Sequence, residues 1–424
     1  MSLNIMPGFG KSGMSRINDW ARSSLMPGEM IPAHGSLLPT TNRMRSTIEP
    51  MVNEERLVAL FKELCLINAP ALEEADSVAF GRMTLEAMGL EVWEDTAGAE
   101  IGGNANNVIA KLPGNAGGEV PSIFFSAHFD TVEPTAGLTI VERDGVLYSD
   151  GTTILGADDK AGMAPAIEAI RIIQENNLPH GDIYLLFSVA EEIGLKGAFA
   201  LKIEELDVDF GYVLDTGPPV GSFVVRTATH DVLDVTIHGK PAHAGKDPEK
   251  GVSAIQVAAE AISKMKLGRI GPETTANVGL ISGGTANNVV PARVKIMAEA
   301  RSTDPAIVDA QIEHMIMEFE AAARKFGATV EIHHDRHYGG YQVAADAPVV
   351  HHAVNAAKAL GMSGALRTTL GGSDANAFNQ KGTPTIVMGT GMDKIHTHEE
   401  YVSRKDLVDM TRLCLEVVAQ VVGR

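Results

Sequence analysis

Two cysteines in 424 residues, Cys65 and Cys414, exclude a disulfide framework and leave no thiolate set for a structural zinc site. So few thiols fit a reducing cytoplasm. Basic residues are scarce too: 35 Lys and Arg stand against 54 Asp and Glu, a net charge of −19. Phosphate recognition needs clustered cations, so this balance argues against nucleic acid and against an anionic membrane surface as partners. Apolar runs stop short of the ~18 residues of a membrane-spanning helix. What the chain does have is an ordinary globular share of hydrophobic residues, 45%. Single cores stop growing at roughly 250–300 residues, so two domains are expected.

Residues 1–50 are rich in Met, Gly, Ser, Pro and Arg and lack an apolar signal-peptide centre. They read as an extension. Regular structure is expected from Asn53, a helix N-cap followed by Glu54 and Glu55 and by apolar residues at helical spacing. Short apolar runs at 107–112, 122–129, 182–189 and 210–214 then alternate with helical stretches, the pattern of a largely parallel, mixed α/β sheet covered by helices on both faces. The character changes after residue 221. Alternating β-branched residues at 222–238, 276–281, 289–300 and 329–333 predict an antiparallel sheet of four strands. Helices at 252–265 and 304–326 would lie on it. The α/β pattern resumes near 348 and ends in a helix at 404–421. The reading is a catalytic domain in two parts, 51–221 and 337–424, with an α+β lid inserted at 222–336.

Chemistry-bearing residues gather at predicted strand ends. His128-Phe129-Asp130 closes an apolar strand, and its i, i+2 spacing puts both side chains on one strand face. A metal-bound imidazole often passes its second N–H to such a carboxylate. The same spacing recurs at His180-Gly181-Asp182 and His333-His334-Asp335, so it does not identify a site by itself. Asp158 and Asp159 precede a helix, where an Asp serves equally as an N-cap. Glu191-Glu192 follows a strand, but four other Glu pairs occur, at 54–55, 73–74, 204–205 and 399–400. Asp215 ends a strand, where a plain turn residue is the alternative. His396 and His398 share one loop. Taken together these are oxygen and imidazole ligands without sulfur, suited to zinc, cobalt or manganese. Two divalent cations against Asp158, Glu192 and Asp215 leave one positive charge, which a hydroxide balances. Glu191 then remains as a general base.

Six segments, in order, carry a resemblance: Ser126-Ala127-His128-Phe129-Asp130-Thr131-Val132, Leu155-Gly156-Ala157-Asp158-Asp159-Lys160-Ala161-Gly162, Ala190-Glu191-Glu192-Ile193-Gly194, Leu214-Asp215, Gly239-Lys240-Pro241-Ala242-His243-Ala244-Gly245 and Gly371-Gly372-Ser373-Asp374-Ala375-Asn376. From about residue 54 to the C-terminus the chain resembles the two-zinc peptidases that include peptidase T, carboxypeptidase G and aminoacylase, with the peptidase T-like branch nearest. The resemblance implies that Asp158 bridges two metals, His128 and Asp215 complete one, and Glu192 and His396 complete the other. His396 is preferred over His398 because the ligand lies four residues before a Glu, here Glu400. Asp130 would orient His128, and Glu191 would act as base and then as proton donor. The inserted lid would form a homodimer in which His243 reaches the partner's site. Asn287 and Arg301 would bind substrate, a small peptide. An N-acyl-amino-acid deacylase or a carboxypeptidase of the same family is the alternative, and a metal-binding protein without catalysis is the rival from another class.

Overall fold

A computed structural model describes residues 51–423, and the expected extension at 1–50 lies outside the described residues. The first described helix, Glu54–Cys65, starts as its sequence requires: the Asn53 side chain accepts from the Arg56 N–H at 3.1 Å. The largest sheet has eight strands: β1 (Glu91–Glu94), β2 (Val108–Leu112), β3 (Ile123–His128), β6 (Ile183–Ser188), β7 (Phe210–Val213), β8 (Ser222–Arg226), β14 (Ala365–Thr368) and β15 (Thr385–Met388). Their spatial order is β1-β2-β6-β3-β7-β15-β8-β14. The central four, β6, β3, β7 and β15, run parallel. Every residue of β3 and β6 is buried, which is why both read as mainly apolar runs.

Both faces of this sheet are covered. Phe125, Phe187 and Tyr212 pack on one side with the helices Glu54–Cys65, Ala157–Glu175, Pro348–Ala359 and Arg404–Val421. Phe124, Leu186 and Val213 face the other side, against Ala198 and Phe378 of two short helices. A separate three-stranded sheet, with β5 (Val146–Ser149) between β4 (Ile140–Arg143) and β16 (Tyr401–Ser403), ties the last segment of the chain to an early one.

A third sheet, antiparallel throughout, has the order β10-β11-β12-β9-β13. Its strands are β9 (Thr229–His238), β10 (Gly268–Gly271), β11 (Thr274–Gly283), β12 (Arg293–Ser302) and β13 (Thr329–Tyr338). The helices Ala254–Ile262 and Pro305–Phe326 cover it, around a core of its own that includes Leu233, Ile296, Met315 and Phe319. The longer helix opens on Asp304, whose side chain accepts from Ala306 N–H, and stops at Gly327 with φ 68.

Two sequence expectations are corrected here. The antiparallel sheet has five strands rather than four: β10 is a glycine-flanked stub with too few side chains to show alternation. The expected boundary at 222 also falls inside the wrong layer. β8 belongs to the eight-stranded sheet, pairing with β14 and β15, so the antiparallel sheet begins at Thr229 and extends to Tyr338. The break between β8 and β9 is Thr227-Ala228, which carries no Gly or Pro signal inside one β-branched run.

Gly211 allows β7 to lie beside β3: a Cβ there would sit 2.1 Å from the Phe124 ring, which is fully buried. Gly211→Ala is expected to destabilise the fold by about 1–3 kcal/mol through overpacking. Urea unfolding followed by fluorescence or circular dichroism checks this, and an unchanged midpoint would show that the ring has room to move.

Candidate active site

Because β3, β6, β7 and β15 are parallel, their carboxyl ends open on one edge of the sheet, where α/β sheets bind ligands. His128 is the last residue of β3. Glu191 and Glu192 follow β6, and Asp215 follows β7. His396 stands on the loop after β15, and Asp158 in the first turn of the helix Ala157–Glu175. Two of these loops use left-handed backbone at non-glycine residues, Ala190 (φ 53) and His396 itself (φ 61), a conformation that clusters at functional sites.

Asp158 is the centre of the arrangement. Its Oδ1 lies 3.2 Å from Nε2 of His128, and its Oδ2 lies 3.2 Å from Nε2 of His396. Glu192 Oε1 is 3.1 Å from the same His396 nitrogen. The Asp158 carboxylate turns to the imidazoles, and its backbone is extended (φ −77, ψ 107) at a kink before the regular part of the helix. Potential ligand atoms of His128, Asp158 and Asp215 all lie within 4.8 Å of one another, as do those of Asp158, Glu192 and His396. These are two overlapping sets that share Asp158. A third set, His128 with Glu191 and Glu192, meets the same limit, but His128 Nε2 is nearer Asp158 than Glu191, whose Oε2 is 4.0 Å away.

The protonation chemistry tests whether cations fit. Nδ1 of His128 faces the Asp130 carbonyl at 2.9 Å while Nε2 faces Asp158, so both ring nitrogens point at oxygen. Burial alone would strip the ring of charge, yet Asp130 and Asp158 hold its pKa well above the usual value. Asp158 and Glu192 likewise push His396 up to about 10. Cations held by these residues would satisfy the same oxygens without a buried imidazolium at His128, and oxygen with imidazole donors suits a divalent metal. Burial holds the Glu191 and Asp215 carboxyls well above the ordinary carboxylate range, with Glu192 adding to it for Glu191 and Asp158 for Asp215. An acid cluster this dense needs positive charge to ionise.

The surroundings fix these groups. Asp130 is fully buried, and its carboxylate accepts from the backbone N–H of Glu191 at 2.9 Å and of Glu192 at 3.0 Å. Its Oδ1 is 3.5 Å from His128 Nδ1, so it holds that ring chiefly through its main-chain carbonyl. Buried Glu400 accepts from Gly156 N–H at 2.7 Å and Asp158 N–H at 3.0 Å, which places the Asp158 turn. Asp374 accepts from the Ser188 hydroxyl at the end of β6. Sequence reasoning used Glu400 only as a spacing marker and gave Asp374 no role. Gly162 is required by close approach, since a Cβ there would lie 2.3 Å from the Leu214 carbonyl oxygen and 2.5 Å from Asp159 Oδ1.

Beside this cluster lies a cavity of about 560 Å³, lined also by His230, Arg301, His337, Tyr338 and Gly372. Arg301 is thus brought to the site. His243 and Asn287 are not: both are exposed, His243 bridges to Val289, and Asn287 lines a different groove with Pro291 and Ile255. His398 faces the Gly151 carbonyl instead of the cluster. In the other two His-x-Asp patterns the carboxylates lie elsewhere, with Asp182 paired to Lys111 at 2.6 Å and Asp335 3.8 Å from His337.

The profile of "Peptidase family M20/M25/M40" matches residues 124–420, which spans every residue of the cluster. The chain belongs to this family. Within M20 it is a peptidase T-like member. It is 40% identical over 370 residues to uncharacterized protein YqjE of Bacillus subtilis, covering 87% of this chain and 99% of that protein. Peptidase T of an Exiguobacterium species is 27% identical over 360 residues, covering 73% of this chain and 84% of that protein. The crystal structure of a tripeptidase from Staphylococcus aureus superposes with a TM-score of 0.83 at 40% identity, covering 88% of this chain and all of that one. That of aminopeptidase PepT from Bacillus cereus has a TM-score of 0.78 at 42% identity, covering 88% of this chain and 99% of that one.

The acid cluster gives a signed pH dependence. In metal-free protein, burial raises Glu400 to about 7 and Asp374 to about 6, and Glu191 and Asp215 move the same way. The folded state then binds more protons than the unfolded chain above pH ~4.5, so stability falls as pH rises toward 7. His128 and His396 add to the fall, since raised folded pKa values contribute stability that is lost on going up in pH. Chelator-treated protein is expected to melt lower at pH 7 than at pH 5, with added zinc reversing the trend. A midpoint that rises over this range without metal would contradict the charge assignment.

Proposed function

We propose that this M20 peptidase is an aminopeptidase acting on short peptides, with two divalent cations, zinc by preference and cobalt or manganese as alternatives. His128, Asp158 and Asp215 hold one, and Asp158, Glu192 and His396 hold the other. The observation that carries this reading is the placing of the two oxygens of one carboxylate, Asp158, each 3.2 Å from a different imidazole. Bound there, the cations would acidify a water and polarise the amide carbonyl.

The chain's own residues supply the rest. Glu191 stands within reach of His128 but carries neither of the short contacts made by Asp158 and Glu192, so its carboxylate is free to take a proton from water. It then passes that proton to the leaving amine. Asp130 prevents the Glu191-Glu192 turn from shifting by accepting both backbone N–H groups. The names of the tripeptidase and PepT relatives support a free-amine peptide as substrate. With two cysteines, both buried, the protein would work in a reducing cytoplasm.

We also propose a homodimer formed through the antiparallel layer, with His243 stabilising the oxyanion in the partner's site. The exposed position of His243 and Asn287, away from the cavity of their own chain, supports it, as do exposed Leu280, Ile281 and Met297 on β11 and β12.

Glu191→Gln is expected to keep its metal and lose roughly 10²–10⁴-fold in kcat on alanine tripeptide. Turnover near the wild-type rate would remove Glu191 from its role. If His243 acts across a two-fold interface, mixing unfolded Glu191→Gln and His243→Ala chains and refolding them together recovers up to about a quarter of wild-type activity, because half the dimers then hold one complete site. No recovery in a demonstrated mixed dimer would contradict action across the interface, and wild-type turnover by His243→Ala alone would place His243 outside the reaction.

A further inference from the structure

The cavity wall supplied by the antiparallel layer carries an arginine that is already occupied. Arg301 on β12 stands directly across the ladder from His230 on β9. Glu299, two residues back, projects from the same face of β12. Its Oε2 accepts from Arg301 Nη2 at 2.9 Å, from Arg301 Nε at 3.3 Å and from His230 Nε2 at 2.8 Å. The remaining guanidinium nitrogen, Nη1, donates to the Tyr338 hydroxyl and the Leu370 carbonyl, each at 3.3 Å. All three nitrogens have acceptors in the protein. The His230 hydrogen bond and Arg301 hold Glu299 down at about 2, so it is an anion at any working pH.

We propose that Glu299, backed by His230, is a positioning residue for specificity: it withholds Arg301 from a substrate carboxylate and leaves it as a donor to an uncharged carbonyl. The proposal rests on the reading that this cavity takes peptides. An unpaired arginine binds a carboxylate through its planar fork. Here an incoming carboxylate meets the like charge of Glu299 and must break an existing pair, whereas an amide carbonyl accepts one N–H and displaces nothing. Discrimination of this kind comes from a repulsive element as much as from an attractive one. A substrate whose carboxylate sits on the residue next to the scissile bond, such as a dipeptide or an N-acyl amino acid, is disfavoured. A peptide that continues past that residue is not.

The test uses binding, so it does not depend on turnover. Zinc-loaded Glu191→Gln protein is titrated calorimetrically with alanyl-alanine and with its C-terminal amide. Adding Glu299→Gln is expected to raise the dipeptide-to-amide affinity ratio about tenfold, the scale of one hydrogen bond to a charged group. Glu299→Asp, which keeps the charge, should return the ratio toward that of the parent, and Arg301→Gln added to Glu299→Gln should abolish the gain. An unchanged ratio in Glu299→Gln overturns the proposal. So does a gain that survives loss of Arg301, or binding of neither ligand to either protein. Wild-type turnover of alanine tripeptide is scored separately: its absence would strike the aminopeptidase reading, while the affinity ratio still decides the role of Glu299.

Discussion

The structure at this edge of the sheet is governed by carboxylates crowded where water is scarce. Asp130, Asp158, Glu191, Asp374 and Glu400 are all buried, and Glu192 and Asp215 adjoin them. Unpaired charges in such a place are costly, and a set of this kind persists only when positive charge is supplied. Two imidazoles supply part of it. Asp158 lies between them, one oxygen toward each, and this shared carboxylate turns two clusters of ligands into one centre.

The scaffold answers the same constraint from behind. Carboxylates that do not face the centre are spent on backbone N–H groups of the loops that do. Asp130 holds the Glu191-Glu192 turn, and Glu400 holds the turn carrying Asp158. Hydrogen bonds to charged acceptors are among the stronger ones, and here each fixes the path of a loop rather than a side chain. Glu299 follows the same logic on the cavity wall, except that it fixes an arginine.

Much of this was legible because the parallel core announces itself. β3 and β6 are buried runs of six residues ending in or near a polar residue, so His128 and Glu192 stood out as strand-end groups. Other parts needed three dimensions. Asp158 reads equally well as an N-cap, and only the direction of its carboxylate decides otherwise. His396 and His398 are two residues apart and their own spacing leaves the choice open; the resemblance chose His396, and the loop turns that ring to Glu192 and His398 to the Gly151 carbonyl. Glu400 acts on N–H groups 242 and 244 positions away, a relation that no local spacing encodes. His230 gains its meaning from register with Arg301 on a neighbouring strand, and β8 parts from β9 at a pair of residues with no turn chemistry.

Metal stoichiometry tests the shared-carboxylate account most directly. Elemental analysis by mass spectrometry of purified protein, dialysed against zinc and then against metal-free buffer, should give two ions per chain. Asp215→Asn should retain one, and Asp158→Asn should lose both, because it removes a ligand common to the two sets. A single ion per wild-type chain, or two ions still tightly held by Asp158→Asn, would contradict it.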